Sequence, residues 1–207
     1  MPKTIDLESY ERKDHFNYFV SLPNPFAGIT ADVDVTELVR ICKERGYSFY
    51  TAFMHCVALA ADEIPEFRRR IHGSSIVEYE QCPTSHIELC PNGLYSYCTL
   101  HHHMPLDEYF STAGKLREDA KNGGIEEGEE AEKMYFITCL PWIHYSALVQ
   151  PTGGDSNPRI SWGRYEENHK GRLMMPVSVL VHHALVDGIQ IADFYRRLEE
   201  KIKEIFG

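Results

Sequence analysis

Two adjacent histidines and an aspartate stand near the C-terminus, in the sequence HHALVDG at residues 182–188. A neutral imidazole can take up a proton near pH 7, so a general base is one chemistry that this pattern offers. Asp187 is close enough in sequence to fold back on His183 through a turn. The alternative interpretation is that Asp187 only caps a helix and that both histidines are ordinary buried polar groups.

The motif lies between two predicted elements. Leu173 to Val181 is an apolar, Val-rich run that is typical of a buried strand, and apolar residues recur at helical spacing from Ile191 to Ile205. Because successive side chains of a strand point to opposite faces, His182 and His183 cannot both enter one site. We therefore expect one of them to be structural and the other to be available for chemistry.

Composition sets limits on the kind of protein. A length of 207 residues fits one domain, expected over residues 1–207, and a net charge of -10 argues against non-specific binding of nucleic acid. The first 16 residues contain no apolar signal core, and no run approaches the length of a membrane span. Six scattered cysteines without a CxxC pair predict reduced thiols and a cytoplasmic location.

Periodicity predicts nine strands and four helices. Strands are expected at 15–22, 29–33, 76–80, 85–90, 94–100, 135–140, 143–149, 159–163 and 173–181. Helices are expected from about 35 to 45, from 49 to 61 with Ser48 as cap, from 106 to 121, and after Gly188. A loop rich in Gly and Glu should cover 121–132. Because strands and helices do not strictly alternate, the pattern favours an α/β two-layer sandwich with a mixed β-sheet.

The motif HHALVDG resembles the HHxxxDG motif of the chloramphenicol acetyltransferases, which are trimeric CoA-dependent acyltransferases. The similarity covers almost the whole chain and includes the segments ERKDHFNYF, FITCLPWIHYSAL and WGRYEENHKGR. It implies the CoA-dependent acyltransferase fold, acetyl-CoA as co-substrate, a small-molecule hydroxyl acceptor and no metal. It also implies a homotrimer with active sites between subunits, and no nucleic-acid or membrane partner.

The resemblance assigns the catalytic roles. His183 is the general base, and Thr138 takes the position of a family serine that donates to the oxyanion of the tetrahedral intermediate. Arg12 is similar to the family arginine that pairs with the motif aspartate, here Asp187. The structural alternatives are that Thr138 is present only for its strand propensity and that Arg12 is a solvated surface residue.

The same resemblance implies the residues that bind CoA. Arg164 stands where a family lysine meets a CoA phosphate, and Tyr165 matches the neighbouring tyrosine. Trp142 would line the acyl-CoA tunnel or belong to the core. A second phosphate-binding lysine of the family is Ser48 here.

The acceptor site departs most from the family. Tyr18, Phe19, Tyr95 and Tyr97 are the expected lining residues, but Phe19 lacks the usual hydroxyl and Tyr97 replaces a small residue. His101, His102 and His103 are interpreted as a trimer-facing or surface patch, because adjacent side chains alternate in direction. The sequence thus predicts an acetyl-CoA-dependent O-acetyltransferase acting on chloramphenicol. The alternatives are an acyltransferase for another hydroxyl or amino acceptor, and a weakly active CoA-binding homologue.

Overall fold

The computed structural model describes residues 2–122 and 131–207. The helices in these ranges are α1 (Lys13–Val20), α2 (Thr36–Arg45), α3 (Phe49–Asp62), α4 (Leu106–Lys121) and α5 (Gly188–Phe206). The strands are β1 (Lys3–Ile5), β2 (Phe26–Asp34), β3 (Arg69–His72), β4 (Ser75–Glu78), β5 (Thr84–Leu89), β6 (Tyr95–Leu100), β7 (Tyr135–Leu140), β8 (Arg159–Gly163), β9 (Glu166–Glu167) and β10 (Leu173–His182).

A seven-stranded mixed sheet forms one layer. Its strand order is β2-β10-β8-β7-β5-β6, and β9 pairs with β10 beside this path. The β5–β7 and β7–β8 pairs are parallel, and the other pairs are antiparallel. A small sheet of order β1-β4-β3 lies apart. The predicted mixed sheet is therefore confirmed, and β10 is a central strand that carries the histidine motif at its end.

One face of the large sheet is buried against helices. Phe53 of α3 packs edge-on against Trp162 of β8, with ring centroids 5.0 Å apart, and both side chains are almost fully buried. Truncating such a buried aromatic residue to Ala typically costs about 3–5 kcal/mol. The predicted buried helix is thus confirmed, and its predicted cap as well, because Ser48 Oγ accepts from the Thr51 amide at 3.3 Å.

Two predicted strands are wrong. Residues 13–20 form the helix α1, although Phe16, Tyr18 and Val20 recur with the period of a strand. Only Phe16 is buried in this helix, and Phe19, one turn closer to its end, packs beside it against the core. Tyr18 and Val20 point to solvent, so the helical pair at positions i and i+3 decides the structure.

The second wrong prediction is the strand at 143–149, where no strand occurs. The segment crosses the sheet instead of extending it: the Tyr145 hydroxyl lies 3.4 Å from Ser178 Oγ of β10. Its apolar residues Ile143 and Val149 are exposed. The alternation of apolar residues therefore does not indicate a strand in this segment, which lies over the sheet. The sequence prediction also lacked β1, β3 and β9.

Turns occur where the sequence predicted them. α2 ends at Gly46, whose φ is +69°, and Pro91-Asn92-Gly93 connects β5 to β6 with Gly93 at φ +80°. A positive φ favours glycine at both positions. The predicted loop at 121–132 falls largely on 123–130, outside the described residues. No helix in the described ranges is long and apolar enough to cross a membrane.

Candidate active site

His183 lies just beyond the end of β10, where the chain turns. The amides of Leu185 and Val186 donate to the His182 carbonyl at 3.0 and 3.2 Å, which brings Val186 back to the imidazole. His183 Nδ1 is 3.1 Å from the Val186 carbonyl oxygen. Because a carbonyl oxygen only accepts, Nδ1 carries the proton and Nε2 carries the lone pair. The turn thus holds the tautomer that a general base at Nε2 needs.

Asp187 lies between the imidazole and a guanidinium. Its Oδ1 is 3.3 Å from His183 Nδ1 and 2.7 Å from Arg12 Nη2. The contact with Arg12 is an ion pair without hydrogen-bond geometry, whereas Arg12 Nη1 donates to the Leu185 carbonyl at 2.9 Å. Arg12 is therefore not a solvated surface residue. Its side chain connects the start of α1 to the turn that carries His183.

The two adjacent histidines have different environments. His182 is 8% exposed, and its ring contacts Phe26 edge-on at 5.3 Å. Its Nδ1 accepts from the Ala184 amide at 3.3 Å, and burial lowers its pKa. His183 has a side chain that is 33% exposed. His182 is thus a neutral, buried residue, while His183 is reached from solvent.

Of the predicted acceptor-site residues, two lie near His183. Phe19 of α1 stacks on the imidazole, and Tyr18 contacts Phe19 edge-on at 5.1 Å. Tyr18 is 62% exposed. The aromatic pair of α1 is thus placed at the rim of the His183 site.

Thr138 is far from His183 within one chain. Thr138 pairs with Ser161, and Ser161 pairs with Ser178, so Thr138 lies two strands from β10. His183 is five residues beyond Ser178. With strand spacings of about 4.8 Å and a rise of about 3.3 Å per residue, the two Cα atoms are separated by roughly 19 Å. One chain therefore does not bring these two side chains to a common reacting atom.

The three predicted CoA-binding residues line one cavity. Trp142, Arg164 and Tyr165 contribute to a cavity of about 590 Å³, which His183 does not line. Trp142 is 75% exposed, so it is not part of the core. Tyr165 packs edge-on against Phe49 at 5.4 Å. Arg164 Nη2 lies 2.5 Å from Glu166 Oε1, and both side chains are about half exposed.

The same cavity contains an ion pair that the sequence analysis missed. Arg117 of α4 donates to Glu88 of β5, and its guanidinium lies 4.7 Å from the centre of the Tyr50 ring. Burial alone would raise the pKa of Glu88, but hydrogen bonds from His86 and Arg117 lower it to about 2. Glu88 is buried, whereas its neighbours Ile87 and Leu89 on β5 are exposed. A charged residue on the inward face of a predicted strand is the sequence signal that could have indicated this ion pair.

Tyr95 and Tyr97 lie on the edge strand β6, four strands from β10. Tyr97 lines a second cavity of about 780 Å³ together with Thr138, and Tyr95 lines both cavities. The interpretation of the three adjacent histidines as a trimer-facing or surface patch is wrong for His102, which is 2% exposed within one chain. His102 and His103 both contact Asp62.

The model of the family "Chloramphenicol acetyltransferase" matches residues 2–199. The chain belongs to the chloramphenicol acetyltransferase family. It is 27% identical over 216 residues to the chloramphenicol acetyltransferase of Bacillus pumilus, covering 99% of this chain and 96% of that protein. It is 25% identical over 205 residues to chloramphenicol acetyltransferase 3 of Escherichia coli, covering 95% and 94%.

Solved structures agree with this family. A chloramphenicol acetyltransferase structure matches with a TM-score of 0.87 and 27% identity, covering 97% of this chain and 99% of that one. A probable dihydrolipoamide acetyltransferase from Listeria monocytogenes matches with a TM-score of 0.72 and 16% identity, covering 93% and 89%, and this likeness concerns the fold alone. The predicted CoA-dependent acyltransferase fold is confirmed, and this chloramphenicol acetyltransferase family member is an acyltransferase.

Proposed function

We propose that the protein transfers the acetyl group of acetyl-CoA to a hydroxyl group of chloramphenicol. The observation that carries this proposal is the imidazole of His183, whose Nδ1 proton points at the Val186 carbonyl within an HHxxxDG motif. Relatives that are 24–27% identical over nearly their whole lengths bear the name chloramphenicol acetyltransferase. The His183 imidazole, the family and the acyltransferase fold together support acyl transfer to a hydroxyl group.

Each catalytic residue has a defined role in the proposed mechanism. His183 Nε2 removes the proton from the acceptor hydroxyl as its oxygen attacks the thioester carbonyl. The Thr138 hydroxyl donates to the developing oxyanion. His183 then returns the proton to the sulfur of the departing CoA. Arg12 and Asp187 hold the turn and do not relay protons, and the reaction uses no metal ion.

The separation between Thr138 and His183 supports a site built from two subunits. About 19 Å of sheet lies between them in one chain, whereas both must reach atoms of one thioester–hydroxyl pair. A neighbouring copy can supply His183 to the cavity that Thr138 lines. A closed homotrimer, in which each interface is of the same heterologous kind, provides three such sites.

Exposed apolar side chains on the sheet support this assembly. Ile87 and Leu89 of β5 and Tyr95 of the neighbouring edge strand β6 are 46%, 65% and 48% exposed. They lie on the sheet around the two cavities. Such a patch is typical of a contact between protein chains.

The cavity lined by Trp142, Arg164 and Tyr165 is proposed to receive acetyl-CoA. Its aromatic walls can pack against the pantetheine arm of CoA, and Arg164 can bind a phosphate once it leaves Glu166. Ser48, at the position of the family's second lysine, caps α3 and supplies no charge. Because Arg164 matches only one of the family's two phosphate-binding lysines, we expect weaker CoA binding than in relatives that have both.

The acceptor is the least constrained part of this function. Tyr97 narrows the cavity beside Thr138, and Phe19 brings no hydroxyl to His183. A second candidate function is therefore acyl transfer to another hydroxyl or amino acceptor.

We also propose that residues 1–207 form one domain, since one core cluster extends from Phe16 to Phe206. We place the protein in the cytoplasm, since its six cysteines are free thiols.

A thiol-release assay tests the function. Purified protein is incubated with acetyl-CoA and chloramphenicol, and the free CoA thiol is measured against time. Release that depends on chloramphenicol supports the proposal, and its loss in His183→Ala assigns it to this site. Thiol release with a different alcohol or amine alone would establish the second candidate instead. CoA binding with only trace transfer to every acceptor tested would show a weakly active CoA-binding homologue.

A further inference from the structure

A separate polar cluster lies at the end of α3. Asp62 is the last residue of this helix, and its side chain is 5% exposed. Asp62 Oδ2 is 2.9 Å from His102 Nε2 and 2.7 Å from His103 Nε2. Two imidazole nitrogens and one carboxylate oxygen thus converge on one point.

The backbone after β6 explains why adjacent histidines converge. β6 ends at Leu100, and the Met104 amide donates to the His102 carbonyl at 3.0 Å, which closes a tight turn. Side chains alternate in direction only in an extended strand. In this turn the rings of His102 and His103 lie side by side, with centroids 4.4 Å apart.

The other carboxylate oxygen of Asp62 is held by the protein. Its Oδ1 accepts from the Tyr135 hydroxyl at 2.8 Å and from the Cys82 amide at 3.1 Å. Burial raises the pKa of Asp62, but hydrogen bonds from His102, His103 and Tyr135 outweigh it and lower the pKa. Tyr135 and the Cys82 amide therefore orient the carboxylate, as outer hydrogen-bond donors orient a metal ligand.

The cluster is buried on one side and open on the other. His102 is 2% exposed, and its Nδ1 is buried without a hydrogen-bond partner among the described residues. His103 has a side chain that is 44% exposed. An ion can thus approach the cluster from the His103 side.

We propose that Asp62, His102 and His103 bind a divalent transition-metal ion of the zinc class. Two imidazoles and one carboxylate are the donor set that zinc accepts, and water can occupy the fourth position. Tetrahedral bonds of about 2.0–2.2 Å place ligand atoms roughly 3.3 Å apart. His102 and His103 now lie 2.9 and 2.7 Å from Asp62 Oδ2, so they have to move outward by about 0.4 and 0.6 Å. Each imidazole also shifts its proton from Nε2 to Nδ1.

Such an ion would act as a structural clip. It would join the end of α3 to the turn after β6, and through Tyr135 to the start of β7. None of its ligands is among the residues assigned to acyl transfer. Binding of zinc and catalysis are therefore separate properties that can be measured independently.

The test uses the full chain after removal of metal with a chelator. Zinc is titrated by calorimetry, and thermal unfolding is followed with and without zinc. We expect one zinc ion per chain and a Tm increase of roughly 5–10 °C at a zinc concentration about 100 times Kd. Cobalt should give the visible absorption of a tetrahedral nitrogen and oxygen site.

Neighbouring variants provide matched controls. His103→Gln keeps a donor for Asp62 but removes an imidazole, and it should weaken zinc binding by more than about tenfold. His101→Ala removes the exposed histidine outside the cluster and should leave zinc affinity and the Tm increase unchanged. Equal zinc binding by His103→Gln and the unmodified protein, or no effect of zinc on Tm, would show that the cluster is only a hydrogen-bonded Asp-His-His group.

Discussion

The imidazole of His183 stacks face to face on the ring of Phe19, with centroids 3.9 Å apart and planes inclined by 16°. The contact with the Val186 carbonyl fixes the tautomer of the imidazole, and the stack fixes its plane. Phe19 belongs to α1, and Arg12, which pairs with Asp187, directly precedes this helix. The α1 segment therefore positions the proposed general base through two contacts, the Phe19 ring and the Arg12 guanidinium.

Phe19→Ala should therefore lower kcat while the fold is retained. An aromatic pair is worth about 0.5–1.5 kcal/mol, which corresponds to a loss of roughly 2- to 13-fold if it orients the base in the transition state. Phe19→Tyr keeps the stack and should retain kcat. Steady-state thiol release measures both variants. An equal loss in Phe19→Tyr would assign the effect to the acceptor pocket instead of the ring plane.

Substitution of the two adjacent histidines should separate rate from stability. His183→Ala should reduce kcat by at least about 10²–10⁴-fold, because it removes the general base. His182→Ala should mainly lower the free energy of unfolding, by about 1–3 kcal/mol, since its buried ring packs on Phe26. Thiol release and urea unfolding are compared. A folded His182→Ala protein with the larger loss in rate would reverse the assignment.

Complementation between inactive variants should reveal shared sites. Thr138→Ala removes the proposed oxyanion donor, at a typical cost of about 10²–10³ in kcat. Co-refolding it with His183→Ala in equal amounts should restore about one quarter of the unmodified activity, because random assortment makes one interface in four intact. Each variant refolded alone is the control. A fully active monomer in sedimentation equilibrium would contradict the two-subunit site.

The part of the site that could be predicted from the sequence is local. Asp187 returns to His183 through a four-residue turn, which the spacing of the motif indicates. The pairing of Arg12 with Asp187 joins distant segments and was implied only by the resemblance to the family. Helix α4 was predicted at Leu106–Lys121 because its apolar face repeats over four turns. The prediction of a strand around Tyr18 was wrong, because the apolar residues that alternate there belong to a short surface helix.

Contacts between distant segments could not be predicted from periodicity. Arg117 meets Glu88 across 29 positions, and His103 meets Asp62 across 41 positions. Which charges meet depends on how α3 and α4 pack on the sheet, and no local pattern encodes that packing. The turn from His102 to Met104 is followed by Pro105, which marks the end of the strand but does not show that His102 and His103 face one point.

The Glu88–Arg117 pair should make the free energy of unfolding decrease as the pH falls into the acidic range. Glu88 has a folded-state pKa of about 2, below the ordinary value of about 4.3. Its contribution, on the order of 3 kcal/mol, is thus complete above about pH 4.5 and is lost as the pH falls toward 2. Arg117→Met should destabilise the protein at pH 7 by up to about 3 kcal/mol and reduce this acid dependence, of which the hydrogen bond from His86 retains a part.

The double variant Glu88→Gln with Arg117→Met is the control for that prediction. It removes both charges together, so it should recover much of the stability that Arg117→Met loses. Urea unfolding at several pH values measures all three proteins. If Arg117→Met keeps the acid dependence of the unmodified protein, the guanidinium does not set the pKa of Glu88.

The acceptor pocket should respond to the size of residue 97. Tyr97 of β6 lies opposite Ile87 of β5 and lines the same cavity as Thr138. Its ring occupies space that the aromatic ring of chloramphenicol requires, and overpacking typically costs about 1–3 kcal/mol. Unmodified protein should therefore acetylate chloramphenicol with a high KM. Tyr97→Ala should raise kcat/KM for chloramphenicol by about tenfold, mainly through KM.

Tyr97→Phe separates ring volume from the hydroxyl group. It removes only the hydroxyl, so it should leave KM for chloramphenicol high, whereas Tyr97→Ala lowers it. The KM for acetyl-CoA should stay constant in both variants, because the cavity with Trp142 and Arg164 does not include Tyr97. Initial rates over a matrix of both substrate concentrations measure these constants. No gain on trimming Tyr97, or a low KM in the unmodified protein, would show that this ring lies outside the acceptor site.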